Sequence, residues 1–340
     1  MSAASALMSD PSHSQFATRT AFEVLVVIVN YNGGGLLVRS VEAMKRQTFT
    51  DYRLIVVDNA SSDGSIALLR NNHPEVEVLS AGANLGFAAA NNLAVRSVQN
   101  SHWIALLNPD AFPAPDWLRH LVDAAQGSPE AASFASRLLD ATNPNLLDGA
   151  GDAYHISGIF WRRGHRCLAQ GNYLRQEDIF CACAAAALYS RTAWEEAGGM
   201  DEDFFCYGED VDLGFRLQLS GYKCLYVPEA VALHYGSALT GRRSDFTTYH
   251  GQRNLVWVFV TNMPSLLFWL LLPGHCLLNA AVLLVGMLRG QGRVVLTAKI
   301  DALRGVARAW RKRSPIQRSR RVAAGHIWRL MTHGWPGPRC

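Results

Sequence analysis

Apolar and polar positions alternate in blocks along the first 110 residues. Residues 22–32, FEVLVVIVNYN, form a β-branched run suited to a strand buried on both faces. Gly33-Gly34-Gly35 follows, and then LLVRSVEAMKRQ, whose apolar positions recur with a helical period. The stretch YRLIVVDNASSDGS (52–65) repeats the plan: an apolar strand, an acidic turn, then IALLRNNH as a helix. VEVLSAGANLGFAAANNLAVRSV does so again, and HWIALLNPDA supplies a further strand. Strands alternating with helices predict an α/β fold with a mostly parallel central sheet and right-handed crossovers. In such sheets ligands sit beyond the carboxyl ends of the strands. The polar residues at those ends are Asn30-Tyr31-Asn32, Asp58-Asn59, Asn84 and Asn108 to Asp110, which places them all on one rim.

Past residue 130 the alternation loosens. FCACAAAALYSRTAWEEAGG reads as a small-residue strand and a helix stopped by Gly198-Gly199. GEDVDLGFRLQLSGY reads as a helix with acids in its first turn and Gly221 as its stop. From Asn254 to Leu288 there is no Asp, Glu, Lys or Arg. The stretch is long enough for a bilayer, which needs about 20 apolar residues, but Pro273-Gly274 divides it. The expectation is a re-entrant or interface-lying helical hairpin, with a single span and a buried core hairpin as alternatives. The chain divides into a loose tail at 1–21, an α/β domain at 22–254, the apolar region at 255–288 and a basic tail at 289–340.

Composition refines this picture. The 340 residues are 49% hydrophobic and 18% charged, which predicts a sizeable core. The net charge of +4 hides an asymmetry: residues 289–340 hold 13 Lys/Arg against one acid, Asp301, so the body before them is net acidic. A basic segment directly after an apolar one fits an anionic membrane surface on its cytoplasmic side. Nucleic acid is not expected as a partner, because no recognisable binding module accompanies the charge. The first 20 residues lack the basic and apolar regions of a signal peptide. The seven cysteines are scattered and form no CxxC pair, so neither a disulfide framework nor a structural zinc site is expected, and a reducing compartment fits better.

Several residues carry candidate chemistry. The triple glycine has neither dinucleotide nor P-loop spacing, which argues against redox and ATPase readings. Asp58 could accept an N–H from a pyrimidine base, or make a turn with the Ser61-Ser62-Asp63-Gly64 run. Asp110 could hold a divalent cation on a diphosphate; Asn108-Pro109-Asp110 is equally a β-turn sequence. Glu209 and Asp210 open a helix, where acids are also favoured by the helix dipole. Asp212 and Arg216 have the spacing of a helical ion pair, and His234 by itself reads as structural.

VIVNYN, VVDNASSDGS, NLGFAAANN, LLNPDA and FFCYGEDVDLGFRLQLSGYK, in this order, resemble the inverting glycosyltransferases of family 2, and most of all a bacterial rhamnosyltransferase-like branch. The resemblance covers roughly residues 22 to 254. It implies a GT-A fold, a nucleotide-sugar donor, a divalent cation (Mg2+ or Mn2+) and a lipid-linked or glycan acceptor at the cytoplasmic face of a bacterial inner membrane. By position it implies that Asn30 and Tyr31 line the nucleotide pocket, that Asp58 binds the pyrimidine, and that Asn84 lies near the sugar with Gly86 permitting close approach. Asp110 matches the metal-binding carboxylate of the family's Asp-x-Asp motif, with Asn108 in place of the first Asp. Asp210 matches the catalytic base of the Glu-Asp motif, beside Glu209, and His234 a residue that completes the metal site in some members. Arg253 matches an Arg-Asn pair for which a diphosphate or acceptor contact and a structural ion pair are both open. A processive synthase is disfavoured, since QRNLVW lacks the Gln-x-x-Arg-Trp spacing. A UDP-sugar donor and a non-catalytic nucleotide-sugar-binding scaffold remain as alternatives.

Overall fold

The computed structural model describes residues 22–236, 244–335, 337 and 340. The expected tail at 1–21 lies outside these. The first strand starts at Phe22, where the apolar run begins. The N-terminal half runs β1 (Phe22–Asn30), α1 (Gly34–Lys45), β2 (Tyr52–Asp58), α2 (Ser65–Asn72), β3 (Glu77–Ser80), α3 (Gly86–Ser97) and β4 (Ser101–Leu107). The short β5 (Ala111–Pro113), α4 (Trp117–Gly127), β6 (Ala131–Asp140) and β7 (Asn143–Gly149) follow. Next come a small hairpin of β8 (Asp152–Tyr154) and β9 (Phe160–Arg162), then β10 (Glu177–Ile179), β11 (Ala186–Ser190), α5 (Arg191–Glu196), α6 (Glu209–Leu219) and β12 (Lys223–His234). Four helices close the chain: α7 (Asp245–Asn262), α8 (Ser265–Leu288), α9 (Gly292–Ser319) and α10 (Ala324–Leu330).

One sheet carries the strand order β10-β12-β6-β11-β4-β1-β2-β3. The strands β4, β1, β2 and β3 are mutually parallel, as the alternating pattern predicts, and β11 runs antiparallel between β4 and β6. Register fixes the rim: Asn30 pairs with Asp58, and Asp58 with Ser80, so the polar strand ends lie side by side. Because strand side chains alternate in direction, Val24, Val26 and Ile28 enter one apolar layer with α1 and α4. Leu25, Val27 and Val29 enter the opposite layer with α3 and α5. A third cluster, around Phe215, Trp257 and Phe259, joins α6 to the C-terminal helices.

Two expectations need correction. The apolar region is not a hairpin broken at Pro273-Gly274; α8 runs unbroken through Pro273 for 24 residues, about 36 Å at about 1.5 Å per residue. The turn lies later, where Gly290 adopts φ +76, Gln291 N donates to Gly286 O (2.8 Å) and Gly290 N to Met287 O (3.2 Å). This paired-bond ending captures the last carbonyls of α8, which a break at the proline would have left bare. The hairpin that does form pairs α8 with α9, and Gly286 allows the approach, since a Cβ there would stand 2.9 Å from Val295. The second correction concerns cysteine: Cys167 and Cys340 form a disulfide across 173 residues of sequence, a pairing that scattered spacing does not reveal.

The basic segment is not a free tail. It forms α9, which packs along α7, where Trp257 Nε1 donates to Ala302 O (2.9 Å). Buried Arg313 donates to Val260 O and Met263 O at the end of α7, and Lys312 bridges Asp201 and Asp203. Helix α7 itself crosses the expected boundary at residue 254.

Candidate active site

A cleft of about 710 Å³ opens beyond the carboxyl ends of β1 and β4 and is closed on its far side by the β8–β9 hairpin and the start of α6. Tyr31, Asn84, Gly86, Asn108, Asp110, Glu209, Asp210 and His234 all line it. Asn30, Asp58 and Arg253 do not line it, and each has structural partners instead.

Asn30 is fully buried; its amide donates to Ser61 Oγ and Ser65 Oγ, both at 2.9 Å, and so ties β1 to the start of α2. Asp58 Oδ1 accepts Ser61 N at 3.0 Å, the turn its local sequence allows. Its neighbour Asn59, placed on the rim by the sequence but given no role, lines the cleft and donates to Asn84 Oδ1 at 2.9 Å. Gly86 (φ +81) does permit a close approach, but the approaching group is Phe205: a Cβ at residue 86 would stand 2.5 Å from both the Phe205 ring and its carbonyl oxygen. Arg253 donates to the carbonyls of Asp203 (3.3 Å) and Phe204 (2.8 Å) and lies over the Trp257 ring at 4.4 Å, so neither an ion pair nor a cleft contact describes it. The Asp212–Arg216 ion pair forms as expected, at 2.7 Å and buried.

On the β4 side, His234 Nε2 lies 3.3 Å from Asp110 Oδ1 and 3.5 Å from the Asn108 amide. Its other nitrogen donates to Asp148 Oδ2 at 2.7 Å, and Asp148 is bonded in turn by Arg162. Burial opposes a charge on His234, but hydrogen bonds and attraction from Asp110 and Asp148 outweigh it and raise its pKa to about 9. Burial likewise opposes the Asp148 charge, and the Arg162 guanidinium with His234 overrides this and holds its carboxyl well below the usual range. The set fits a hard divalent cation. Ligand atoms on an octahedral ion with bonds of about 2.1 Å stand about 3 Å apart, and a metal-ligating histidine usually gives its second nitrogen to a carboxylate. Neither Asp148 nor Arg162 was singled out from sequence; β7 and β9 are short and carry no strong pattern.

On the α6 side, Asp210 Oδ1 accepts Val211 N (2.8 Å) and Oδ2 accepts Ala184 N (3.2 Å), which fixes its carboxylate at the helix start. Asp152, Cys183 and Asp210 bring their ligand atoms within 4.8 Å of one another. Burial pushes the Asp210 carboxyl up, and it pushes Asp152, with repulsion from Asp210, up to about 7. Burial, then Asp210, raises Glu209 well above the carboxylate range, and burial does the same to the Cys183 thiol. The Arg162 guanidinium lies 3.0 Å from Cys183 Sγ, and its positive charge opposes a cation among these groups.

The sheet order, with its polar rim at the strand ends, is that of the GT-A fold. Two solved structures share it: GalNAc-T7 with UDP, GalNAc and Mn2+ (TM-score 0.57, 18% identity, 72% of this chain and 48% of that one), and the mannosyltransferase PcManGT from Pyrobaculum calidifontis with GDP-Man and Mn2+ (TM-score 0.53, 17% identity, 88% and 85%). Residues 25–198 match the model of glycosyl transferase family 2, and the chain belongs to that family and is a glycosyltransferase. It is 30% identical over 243 residues to the N-acetylglucosaminyl-diphospho-decaprenol L-rhamnosyltransferase of Mycobacterium tuberculosis, covering 64% of this chain and 77% of that protein. It is 29% identical over 218 residues to the O-antigen chain rhamnosyltransferase RfbN of Salmonella typhimurium, covering 62% and 66%.

Proposed function

We propose that the chain is an inverting transferase that moves rhamnose from dTDP-rhamnose to a hydroxyl of a lipid-linked glycan, in bacterial cell-surface polysaccharide synthesis. The observation that carries this reading is the meeting of two clusters in one cleft: Asn108, Asp110 and His234 on one wall, Glu209 and Asp210 on the other. The names of the two rhamnosyltransferase relatives support the sugar and the polysaccharide context.

Inverting transfer is a single displacement, in which the acceptor oxygen attacks the anomeric carbon from the face opposite the leaving diphosphate. An unperturbed hydroxyl is a weak nucleophile, and a positioned base contributes about 10²–10⁴-fold. Asp210 takes that proton. Its two backbone hydrogen bonds fix its aim, and its raised pKa strengthens it as a base. Glu209 stands beside this base with its Oε2 buried without a partner, and burial with the Asp210 charge pushes its carboxyl up. Mg2+ or Mn2+ held by Asp110 and His234, with Asn108 beside them, would supply electrostatic stabilisation to the departing diphosphate. Tyr31, Asn84 and Gly86 wall the donor side, with Asn30 and Asp58 shaping it from behind.

The acceptor side faces lipid in this reading. Helix α8 is long and apolar enough to cross a membrane, and Leu266 (74%), Leu277 (73%) and Leu288 (80%) are exposed on it. With the arginines of α9 beside it, α8 would seat the enzyme on the cytoplasmic face of the inner membrane. The test is Asp210→Asn, which should abolish transfer and leave nucleotide-diphosphate binding intact. Transfer at a near wild-type rate would overturn the assignment. A panel of dTDP- and UDP-sugars assayed with and without Mn2+ identifies the donor.

A further inference from the structure

The segment between Asp203 and Gly208 leads directly into Asp210, and its backbone is unusual. Phe205 has φ 65 and ψ −63, Tyr207 has φ 68, and neither is glycine. Cys206 N donates to Phe204 O at 2.7 Å, which closes a γ-turn around Phe205, a rare and strained conformation for an L-residue. Phe205, Cys206 and Tyr207 also line the cleft. Strain of this kind persists only where surrounding structure over-determines it.

The restraint is a set of donors that meets five successive carbonyls. Arg253 takes Asp203 O and Phe204 O. The start of α3 takes Phe205 O through Phe87 N (2.6 Å) and Ala88 N (3.3 Å). The Asn254 amide lies 3.0 Å from Phe204 O, 2.9 Å from Cys206 O and 2.6 Å from Tyr207 O. Asn254 is fully buried, and its Oδ1 accepts Arg253 Nε at 2.9 Å, which fixes the amide so that its NH₂ group faces the turn. It does not line the cleft.

We infer that Asn254 is a positioning residue for transfer: its buried amide holds the strained turn at Phe205, and the turn sets the aim of Asp210 and the place of the Phe205 and Tyr207 rings. Without the amide the turn relaxes toward unstrained backbone and carries the start of α6 with it. Binding on the part of the donor wall built from β1 and β2 does not depend on that aim.

This rests on Asp210 being the base. The test uses the full chain in detergent or vesicles, with Asn254→Asp, which keeps the size but turns a carboxylate toward three carbonyls, and Asn254→Ala. The expected result is a fall in kcat of about 10²-fold, the order that a misplacement of about 1 Å produces, with UDP and dTDP binding within twofold of wild type. Alkylation of half-buried Cys206, followed by peptide mass, should accelerate at least tenfold as the turn opens. A kcat within threefold of wild type, or donor binding that falls in step with kcat, overturns the inference. Should both variants lose the fold, Asn254→Ser keeps a hydroxyl donor and the same split between kcat and binding decides. Failure of the base assignment is read separately, from an active Asp210→Asn.

Discussion

Replacing Asp148 by Asn should cost more stability than any single surface ion pair in this protein. Asp148 is 2% exposed and holds two cationic groups at once, His234 Nδ1 at 2.7 Å and the Arg162 guanidinium. The variant keeps the shape and removes the charge, leaving His234 with Asp110 alone at 3.3 Å and Arg162 with the Cys183 thiol and the more distant Asp152 and Asp210. Breaking a buried pair from one side costs about 3–5 kcal/mol. The low end applies, because the Arg162 side chain keeps 29% exposure and water can take part of its charge. For 340 residues an unfolding entropy of about 2.1 cal/mol/K per residue makes this a fall in Tm of about 4 °C.

The pH dependence has a definite sign. His234 has a pKa raised to about 9 in the folded protein, so its pairing stabilises fully below its unfolded value of about 6.5 and is lost as pH rises through 9. Asp148 has a depressed pKa, so its own contribution is lost only in strong acid, below about pH 4. The gap between wild type and Asp148→Asn should therefore be widest between pH 5 and 6.5 and narrow toward pH 9.5. Denaturant titration of both proteins across that range, in buffer with chelator, measures it. A loss below about 1 kcal/mol, or a gap that stays constant to pH 9.5, would refute the paired imidazolium.

Three further outcomes are expected. Gly86→Ala puts a methyl group 2.5 Å from the Phe205 ring and carbonyl at a φ of +81, and should cost about 1–3 kcal/mol and at least tenfold in transfer rate, read by thermal melts and a donor-release assay. Burial lowers the Lys299 pKa to about 7 while its ammonium serves Gln252, so the unfolded chain binds more protons between pH 7 and 10 and stability rises across that window; Lys299→Met should flatten the rise in denaturant titrations. Leu270→Asp with Leu277→Asp, both on the exposed face of α8, should abolish co-flotation with anionic vesicles without lowering Tm; unchanged flotation would count against α8 as the lipid contact.

The parts of the site legible in the sequence are those set by local pattern. Buried apolar runs ending in Asn30, Asp58 and Asn108 show where strands stop, and the parallel register then places those stops on one rim. Glu209 and Asp210 are legible because an acidic helix start has a recognisable form. What was not legible comes from long-range pairing. Asp148 meets His234 across 86 residues, and Asp152 and Arg162 enter the cleft from strands of three residues. Gly86 and Arg253 also serve the turn at Phe205, whose backbone no periodicity announces. The apolar region was divided at Pro273 because a proline is a visible stop, whereas Gly290, which makes the turn, lies outside the apolar run.

The seating of α8 has a practical consequence for anyone preparing this enzyme. His275, midway along α8, stacks on Phe259 at 4.0 Å and bonds Ser157 O at 2.8 Å. Ser157 lies in the turn of the hairpin whose other end, Phe160 to Arg162, walls the cleft. Downstream, Arg313 caps α7, Thr332 pairs with Tyr154, and Cys340 is bonded to Cys167. Cutting the chain before its apolar helix would remove the contacts that back one wall of the cleft. A workable soluble form has to keep every helix and exchange only the outward leucines.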